Sequence, residues 1–423
     1  MKFTLLAYIF ITLFLVLCDW LIFHILRSNK VYRTINKLHL LISGISLLLV
    51  AYAFLTQQHV TEWRQYVYLQ NMVLFVAALY AAKVFYILWH RLTHHTIRLV
   101  KKIPASRYWT DRMNAGKYPV MTRRKFVSQV GIVLASAPFV SLMMGWSKGR
   151  FNFQTRYQKL SFPNLPSEFD GLKVIHISDL HLGSFNSNHQ ELNEAIEMIN
   201  QEHPDIICFT GDLVNNFAQE TEGWGKVFNR LNARIGKYSI LGNHDYGHYS
   251  KWNSEAEFQA NFKGIVSAHE RLGFKLLRNE AVTIEKEDAS LAIAGVENWG
   301  LPPFPQHGDL KKASAAIDAA TPFSILLTHD PDHWTEEVAG KSRFDLSLAG
   351  HTHGMQFGFD YMGLNWSPAK YKFKYWAGLY RQGEQYLYVN RGLGVLGLPA
   401  RVGMPPEITV IELTRGPLGT EPM

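Results

Sequence analysis

Cysteine is almost missing: Cys18 and Cys208 are the only two in 423 residues. That excludes a disulfide framework and a thiolate metal site. Acidic residues are nearly absent from the first 150 positions, which hold three Asp+Glu against 19 Lys+Arg. The rest of the chain reverses the balance, with 32 acidic and 24 basic residues. The calculated pI of 9.2 therefore averages two unlike parts and does not point to nucleic acid. No internal repeat or low-complexity tract is present, which excludes a solenoid or a fibrous chain.

What the first part has instead is long apolar runs. Residues 1–150 read as an all-α transmembrane region, with spans near 3–26, 38–55, 67–89 and 126–144. Each approaches the roughly 20 residues that cross a hydrocarbon core. The fourth carries Pro138, and Lys83 lies near enough to the end of the third to snorkel. The first and third loops are rich in Lys and Arg (Arg27, Lys30, Arg33 and Lys37, then Arg91 to Lys125), whereas the second holds only Arg64 beside Glu62. Positive loops stay in the cytoplasm. A multi-pass protein of the bacterial plasma membrane is expected, with everything after Arg150 outside the cytoplasm. "TRRKFV" from Thr122 has a twin-arginine-like form, which serves either as an export signal or as the positive flank of the fourth span.

From 151 to 423 the pattern changes. "LKVIHIS" (Leu172–Ser178), "DIICFT" ending at Thr210, "KYSIL" ending at Leu241, "SLAIAGV" (Ser290–Val296), "FSILLT" (Phe323–Thr328) and "FDLSLA" (Phe344–Ala349) are short apolar strands. Helical spacing intervenes at Leu192, Ala195, Ile196 and Ile199. The fold class is α/β, a layered β-sheet sandwich flanked by helices, in which ligands gather beyond the carboxyl ends of strands.

Those ends carry chemistry. The strands run into Asp179 and His181, Asp212, Asn243 with His244 and Asp245, His329, and finally His351 and His353. Asp179, His181, Asp212, Asn243, His329, His351 and His353 form a candidate metal set. Seven nitrogen and oxygen ligands exceed one tetrahedral shell and suit two divalent ions sharing a carboxylate. Manganese, iron or zinc would accept such donors.

In this order, "DLH", "GD", "GNHD", a lone His and "GHTH" resemble the calcineurin-like metallophosphoesterase family over roughly Lys173–Leu413. "FDGLKVIHISDLHLG", "LLRNEAV", "HDPD" and "GHTHG" resemble its membrane-anchored bacterial branch. The resemblance implies that Asp179, His181 and His353 hold one metal, that Asn243, His329 and His351 hold the other, and that Asp212 bridges. It further implies that His244 faces the phosphate and is oriented by Asp245. Met355 departs from the family pattern, which has glycine there. Two cations about 4 Å apart activate hydroxide for in-line attack on phosphorus, and His244 would serve the leaving oxygen.

The expected function is hydrolysis of a phosphate mono- or diester, lipid- or envelope-linked. The alternatives are a non-catalytic scaffold of the same fold, or a UDP-diacylglucosamine-type pyrophosphate hydrolase if the domain is cytoplasmic. Asn390 and Arg391 could reach phosphate or be structural. His333 could touch substrate, whereas His176 reads as core. The segment Phe357–Tyr380 interleaves aromatic rings with Lys370, Lys372 and Lys374. It either covers a sheet edge or provides, through Trp366 and Tyr371, a membrane-facing rim.

Overall fold

The computed structural model describes residues 5–27, 33–57, 63–100, 123–185, 189–304, 306–361 and 364–419. The chain divides into two compact units: Met1–His59 with Leu69–Met144, and Val60–Tyr68 with Gly145–Met423.

The first unit is helical. Its helices are α1 (Leu5–Arg27), α2 (Arg33–Thr56), α3 (Trp63–Val100) and α4 (Arg123–Ser147). All four are long and apolar enough to cross a membrane. The third is longer than its apolar run because the following polar residues continue the helix to Val100. Much of the basic-loop reading falls on positions 28–32 and 101–122, outside the described residues, as does Thr122 of the twin-arginine-like stretch.

Lys83 does not snorkel. Its Nζ lies 2.7 Å from Asp19 Oδ1 and 3.0 Å from Ser43 Oγ. Ser43 Oγ donates to Asp19 Oδ1 at 2.8 Å and Tyr80 OH to Oδ2 at 2.7 Å. An ammonium and a carboxylate that meet between α1, α2 and α3 satisfy each other, which hydrocarbon would not do.

The second unit contains two six-stranded sheets. The first is built from β1 (Gln154–Phe162), β2 (Leu172–Ile177), β3 (Ile206–Phe209), β4 (Gly236–Ser239) and β5 (Lys275–Leu276). The second begins with β6 (Glu280–Lys286), β7 (Ala289–Gly295), β8 (Phe323–Leu327) and β9 (Leu346–Ala349). A separate hairpin follows, β10 (Phe359–Tyr361) and β11 (Leu364–Trp366), and then β12 (Gly378–Gln382) and β13 (Gln385–Val389). The last strand, β14 (Glu407–Arg415), returns to the first sheet. The orders are β1-β14-β2-β3-β4-β5 and β12-β13-β9-β8-β7-β6.

Strands β2 to β5 run parallel, as do β7, β8, β9 and β13. Their continuous apolar runs reflect burial on both faces. Between the sheets pack Val174, Ile206 and Cys208 against Ile293, Ile325 and Leu348. The outer face of the first sheet is covered by α5 (Asn193–Gln201) through Ile196 and Ile199, and by α6 (Glu255–Arg271) through Ile265. Ser254 caps α6 by accepting from the Glu257 amide at 3.1 Å. Parallel strands in two facing layers send their carboxyl ends to one edge, and the site lies there.

Candidate metal centre

Tight backbone turns aim the candidate ligands. Asp179, His181, Asp212, His351 and His353 all have left-handed φ, between 44° and 70°. Non-glycine residues avoid that region at a cost of about 1–2 kcal/mol each, so five together mark a site held by its surroundings. The turns double back directly after β2, β3 and β9 and return the side chains over the strand ends. Gly350 permits the last turn: a Cβ there would meet Ser178 Oγ at 1.9 Å.

Asp179, His181 and His353 form one cluster, and Asp212, His329 and His351 another, with candidate ligand atoms within 4.8 Å of one another in each. In the first, His353 Nε2 lies 3.2 Å from Asp179 Oδ1 and 3.1 Å from His181 Nε2. In the second, Asn243 Oδ1 lies 3.2 Å from His329 Nε2 and 2.9 Å from His351 Nδ1. Asp212 Oδ2 stands between the clusters, 3.5 Å from His181 Nε2 and 3.3 Å from His329 Nε2. All seven sequence-derived candidates therefore meet in one place.

The donors suit divalent cations. Burial pushes the imidazoles of His181 and His351 down, the latter to about 3, so both are neutral near pH 7. Burial alone would raise Asp179 and Asp212, yet the surrounding histidines hold both carboxyls well below the usual range. At His329 burial is likewise overcome by neighbouring Asp212, and its imidazole rises to about 10. Its Nδ1 faces the Thr210 carbonyl at 2.7 Å, which fixes the ring and turns Nε2 inward. Among the described residues, His181 Nδ1 and His351 Nε2 are buried and have no hydrogen-bond partner. Neutral His181 and His351 beside ionised Asp179 and Asp212 are in the states a cation requires, and a cation would displace the proton that His329 otherwise holds.

His244 borders the centre. Its amide donates to Asp212 Oδ1 at 2.8 Å, and its ring stands 5.0 Å from that of His181. The expected support from Asp245 is not what holds the ring: His244 Nδ1 pairs with the Asn215 carbonyl at 2.8 Å. Asp245 acts on the backbone instead, accepting from the amides of Asp212 and Gly242 at 2.9 Å, Leu213 at 2.8 Å and Val214 at 3.2 Å. It thereby joins the two loops that carry Asp212 and Asn243.

The remaining candidates are structural. Arg391 pairs with Glu407 and, at 3.0 Å, with Asp360. Asn390 donates to Thr409 Oγ1 at 2.9 Å and the His176 carbonyl at 3.1 Å. His333 is buried, with Thr328 Oγ1 at 2.9 Å and the Trp299 ring at 5.1 Å. His176 is core, as its strand position indicates, and faces Thr210 Oγ1 at 2.9 Å.

Sequence reasoning missed several residues. Tyr249 OH accepts from Asn243 Nδ2 at 2.8 Å. Arg401 Nη2 lies 3.4 Å from His353 Nδ1 while donating to the carbonyls of Arg391 and Gly392 at 2.8 and 3.0 Å. Phe304 and Phe373 wall His351 edge-on at 4.8 and 5.5 Å. Tyr249 was within reach of "GNHDYGHY", but nothing local marks Arg401 or Phe304.

Two family models match this chain. A family model described as calcineurin-like phosphoesterase matches residues 172–355. A second, described as the transmembrane domain of a probable calcineurin-like phosphoesterase, matches residues 3–150. The chain is 33% identical over 302 residues to the uncharacterized metallophosphoesterase YkuE of Bacillus subtilis (strain 168), covering 69% of this chain and 98% of that one. It is 27% identical over 297 residues to the phosphodiesterase YaeI of Escherichia coli (strain K12), covering 70% and 100%. A transmembrane protein with a metallophosphoesterase domain from Danio rerio is 28% identical over 257 residues, covering 59% of this chain and 54% of its own length.

Proposed function

Because the chain belongs to the calcineurin-like phosphoesterases, hydrolases of phosphoester bonds, we propose that its seven clustered residues hold two divalent cations for hydrolysis of a membrane- or envelope-derived phosphate ester. The observation that carries this reading is Asp212, whose Oδ2 is within 3.5 Å of both His181 and His329. A carboxylate so placed can serve two ions together. Asp179, His181 and His353 would bind one ion, and Asn243, His329 and His351 the other.

Bound there, the pair supplies Lewis acidity toward water and the phosphoryl oxygens. The protein's own groups do the rest. His244, whose Nδ1 is held by the Asn215 carbonyl and whose imidazole is lowered by burial, would carry a proton at Nε2 for the leaving oxygen once an anionic substrate beside it favours the protonated ring. Asp245 holds the loops of Asp212 and Asn243 in register, so both meet the same substrate. The intact donor set disfavours a scaffold that has lost its chemistry.

The membrane part comprises residues 1–150 and the catalytic part 151–423. The charge of the first and third loops supports a catalytic part outside the cytoplasm, away from a cytoplasmic nucleotide lipid. Manganese, iron and zinc all fit these donors. The test is metal content and turnover of p-nitrophenyl phosphate and its bis-ester by the full-length protein in detergent, beside Asp212→Asn. The variant should fold, lose at least one ion per chain and lose turnover; a variant with full metal content and activity overturns the reading.

A further inference from the structure

Beyond Arg150, the exposed large apolar residues are not scattered. Among the described residues they are Tyr157, Ile235, Leu301, Met355, Phe357, Phe359, Leu364 and Tyr371. The last five lie within one short stretch that begins directly after His353, and Leu364 and Tyr371 are 68% and 75% exposed. They form one surface. Trp366 packs on Phe359 at 5.8 Å and on Phe357 at 6.4 Å, and its Nε1 reaches Tyr371 OH at 3.5 Å. Beneath them Phe373, Trp376 and Met404 are buried. The segment is thus core on one side and apolar surface on the other.

Exposed lysines line this surface. Lys370 stands over the Tyr371 ring at 5.2 Å and Lys374 over Tyr375 at 5.0 Å. Lys372 lies over Phe373 at 4.8 Å and Phe304 at 5.5 Å, the two rings that wall His351. The surface therefore continues to the edge of the candidate metal centre. Exposed Leu301 lies in the same turn as Phe304, whose amide donates to its carbonyl at 3.0 Å.

The ends of two membrane helices fall within this second unit. Gly145, near the end of α4, accepts from the Arg401 amide at 3.2 Å. Next to it, Val402 donates to the Gln356 carbonyl at 2.8 Å and accepts from Gly358 at 2.9 Å. A few hydrogen bonds therefore tie the point where the chain leaves its apolar span to Phe357. At the start of α3, Tyr66 packs on Phe217 at 6.0 Å, in the loop that follows Asp212. The first contact lies beside the stretch that follows His353, and the second lies in the loop that follows Asp212.

We infer that the surface of Phe357, Phe359, Leu364 and Tyr371, with Lys370 and Lys372, rests in the anionic headgroup layer of the membrane the chain spans, and that the site takes phosphoesters of lipids resident in that layer. Exposed aromatic rings suit the interface and ammonium groups suit lipid phosphates. A large apolar surface on a water-soluble face would otherwise be a liability. The substrate class rests on the phosphoesterase reading; the lipid contact does not.

The test uses full-length protein in nanodiscs of phosphatidylcholine and phosphatidylglycerol. A Tyr371→Cys variant carries a fluorophore, with Ile235→Cys as control; both native cysteines are buried. Lipids bearing a nitroxide near the headgroup should quench the label at 371 at least threefold more than at 235. Equal quenching at the two positions overturns the inference. So does a label at 371 that is shielded from aqueous iodide without being quenched by lipid, which would mean a protein partner or a second copy covers the surface. Phosphatidic acid mixed into the disc should also compete with p-nitrophenyl phosphate at least tenfold better than soluble glycerol phosphate. Equal competition overturns the substrate class, whereas an enzyme inert toward every phosphoester overturns only the phosphoesterase reading.

Discussion

His181 and His353 stand 172 positions apart, and their Nε2 atoms face each other at 3.1 Å in a buried site. Two imidazole nitrogens this close share either a proton or a cation. Each also has an ionised carboxylate alongside, Asp212 for His181 and Asp179 for His353. A cation satisfies all four groups at once. His353→Ala in the full-length protein should therefore lose one metal ion per chain, measured by plasma mass spectrometry, and turnover should fall below detection. Full metal content in that variant removes His353 from the ligand set.

His244 and Asp245 are neighbours with different tasks, and their variants should separate. His244→Ala should keep both ions and lose rate by about 10²–10⁴-fold, the usual worth of a positioned acid. Asp245→Asn puts an amide NH₂ among four backbone donors. It should destabilise by about 1–3 kcal/mol and lower the melting temperature. An Asp245→Asn protein with unchanged melting would contradict the backbone role.

Asp19 and Lys83 pair between membrane helices at 2.7 Å. Removing one charge leaves the other without its counterion, whereas removing both leaves neither. Lys83→Met alone should lower the melting temperature in detergent more than Asp19→Asn combined with Lys83→Met. If the double variant melts lower than either single one, the two side chains are not stabilising each other.

A pH effect on stability follows from His269. It is buried in α6 beside Phe209, with Nδ1 2.9 Å from Ser239 Oγ, and burial pushes its imidazole down to about 3. Unfolded, the same group titrates near 6.5. Its contribution is thus complete above about pH 6.5 and declines as pH falls toward 3, by about 2 kcal/mol at pH 5. His269→Gln should be less stable than wild type at pH 7.5 and lose less stability between pH 7 and 5. Parallel losses in the two proteins, followed by thermal unfolding at both pH values, would assign the acid sensitivity to other groups.

The periodic parts of this fold were legible because their signals are local. Six strands and α5 lie within a few residues of their apolar runs, since a strand-length apolar run and helical spacing are both read from neighbouring residues alone. The same holds for the candidate ligands, which sit where a strand ends and the chain must turn. Strands β10 to β14 were not marked in this way. Their residues are buried or exposed according to what packs on them: Phe373 goes inward and Tyr371 outward, two positions apart in one aromatic stretch.

By itself, then, the sequence determined four apolar helices, an α/β domain after them, and seven candidate metal ligands at the strand ends. Tertiary structure decided what each polar group faces. Lys83 turned inward because Asp19 waits on another helix, Arg391 became structural because Glu407 lies beside it, and Asp245 gripped backbone amides instead of a histidine. Met355, where the family pattern has glycine, adopts φ of 48° on the exposed apolar surface. The physical reason is common to all of them. Backbone preference is set by a residue and its near neighbours, whereas the partner of a charge is set by distance in space.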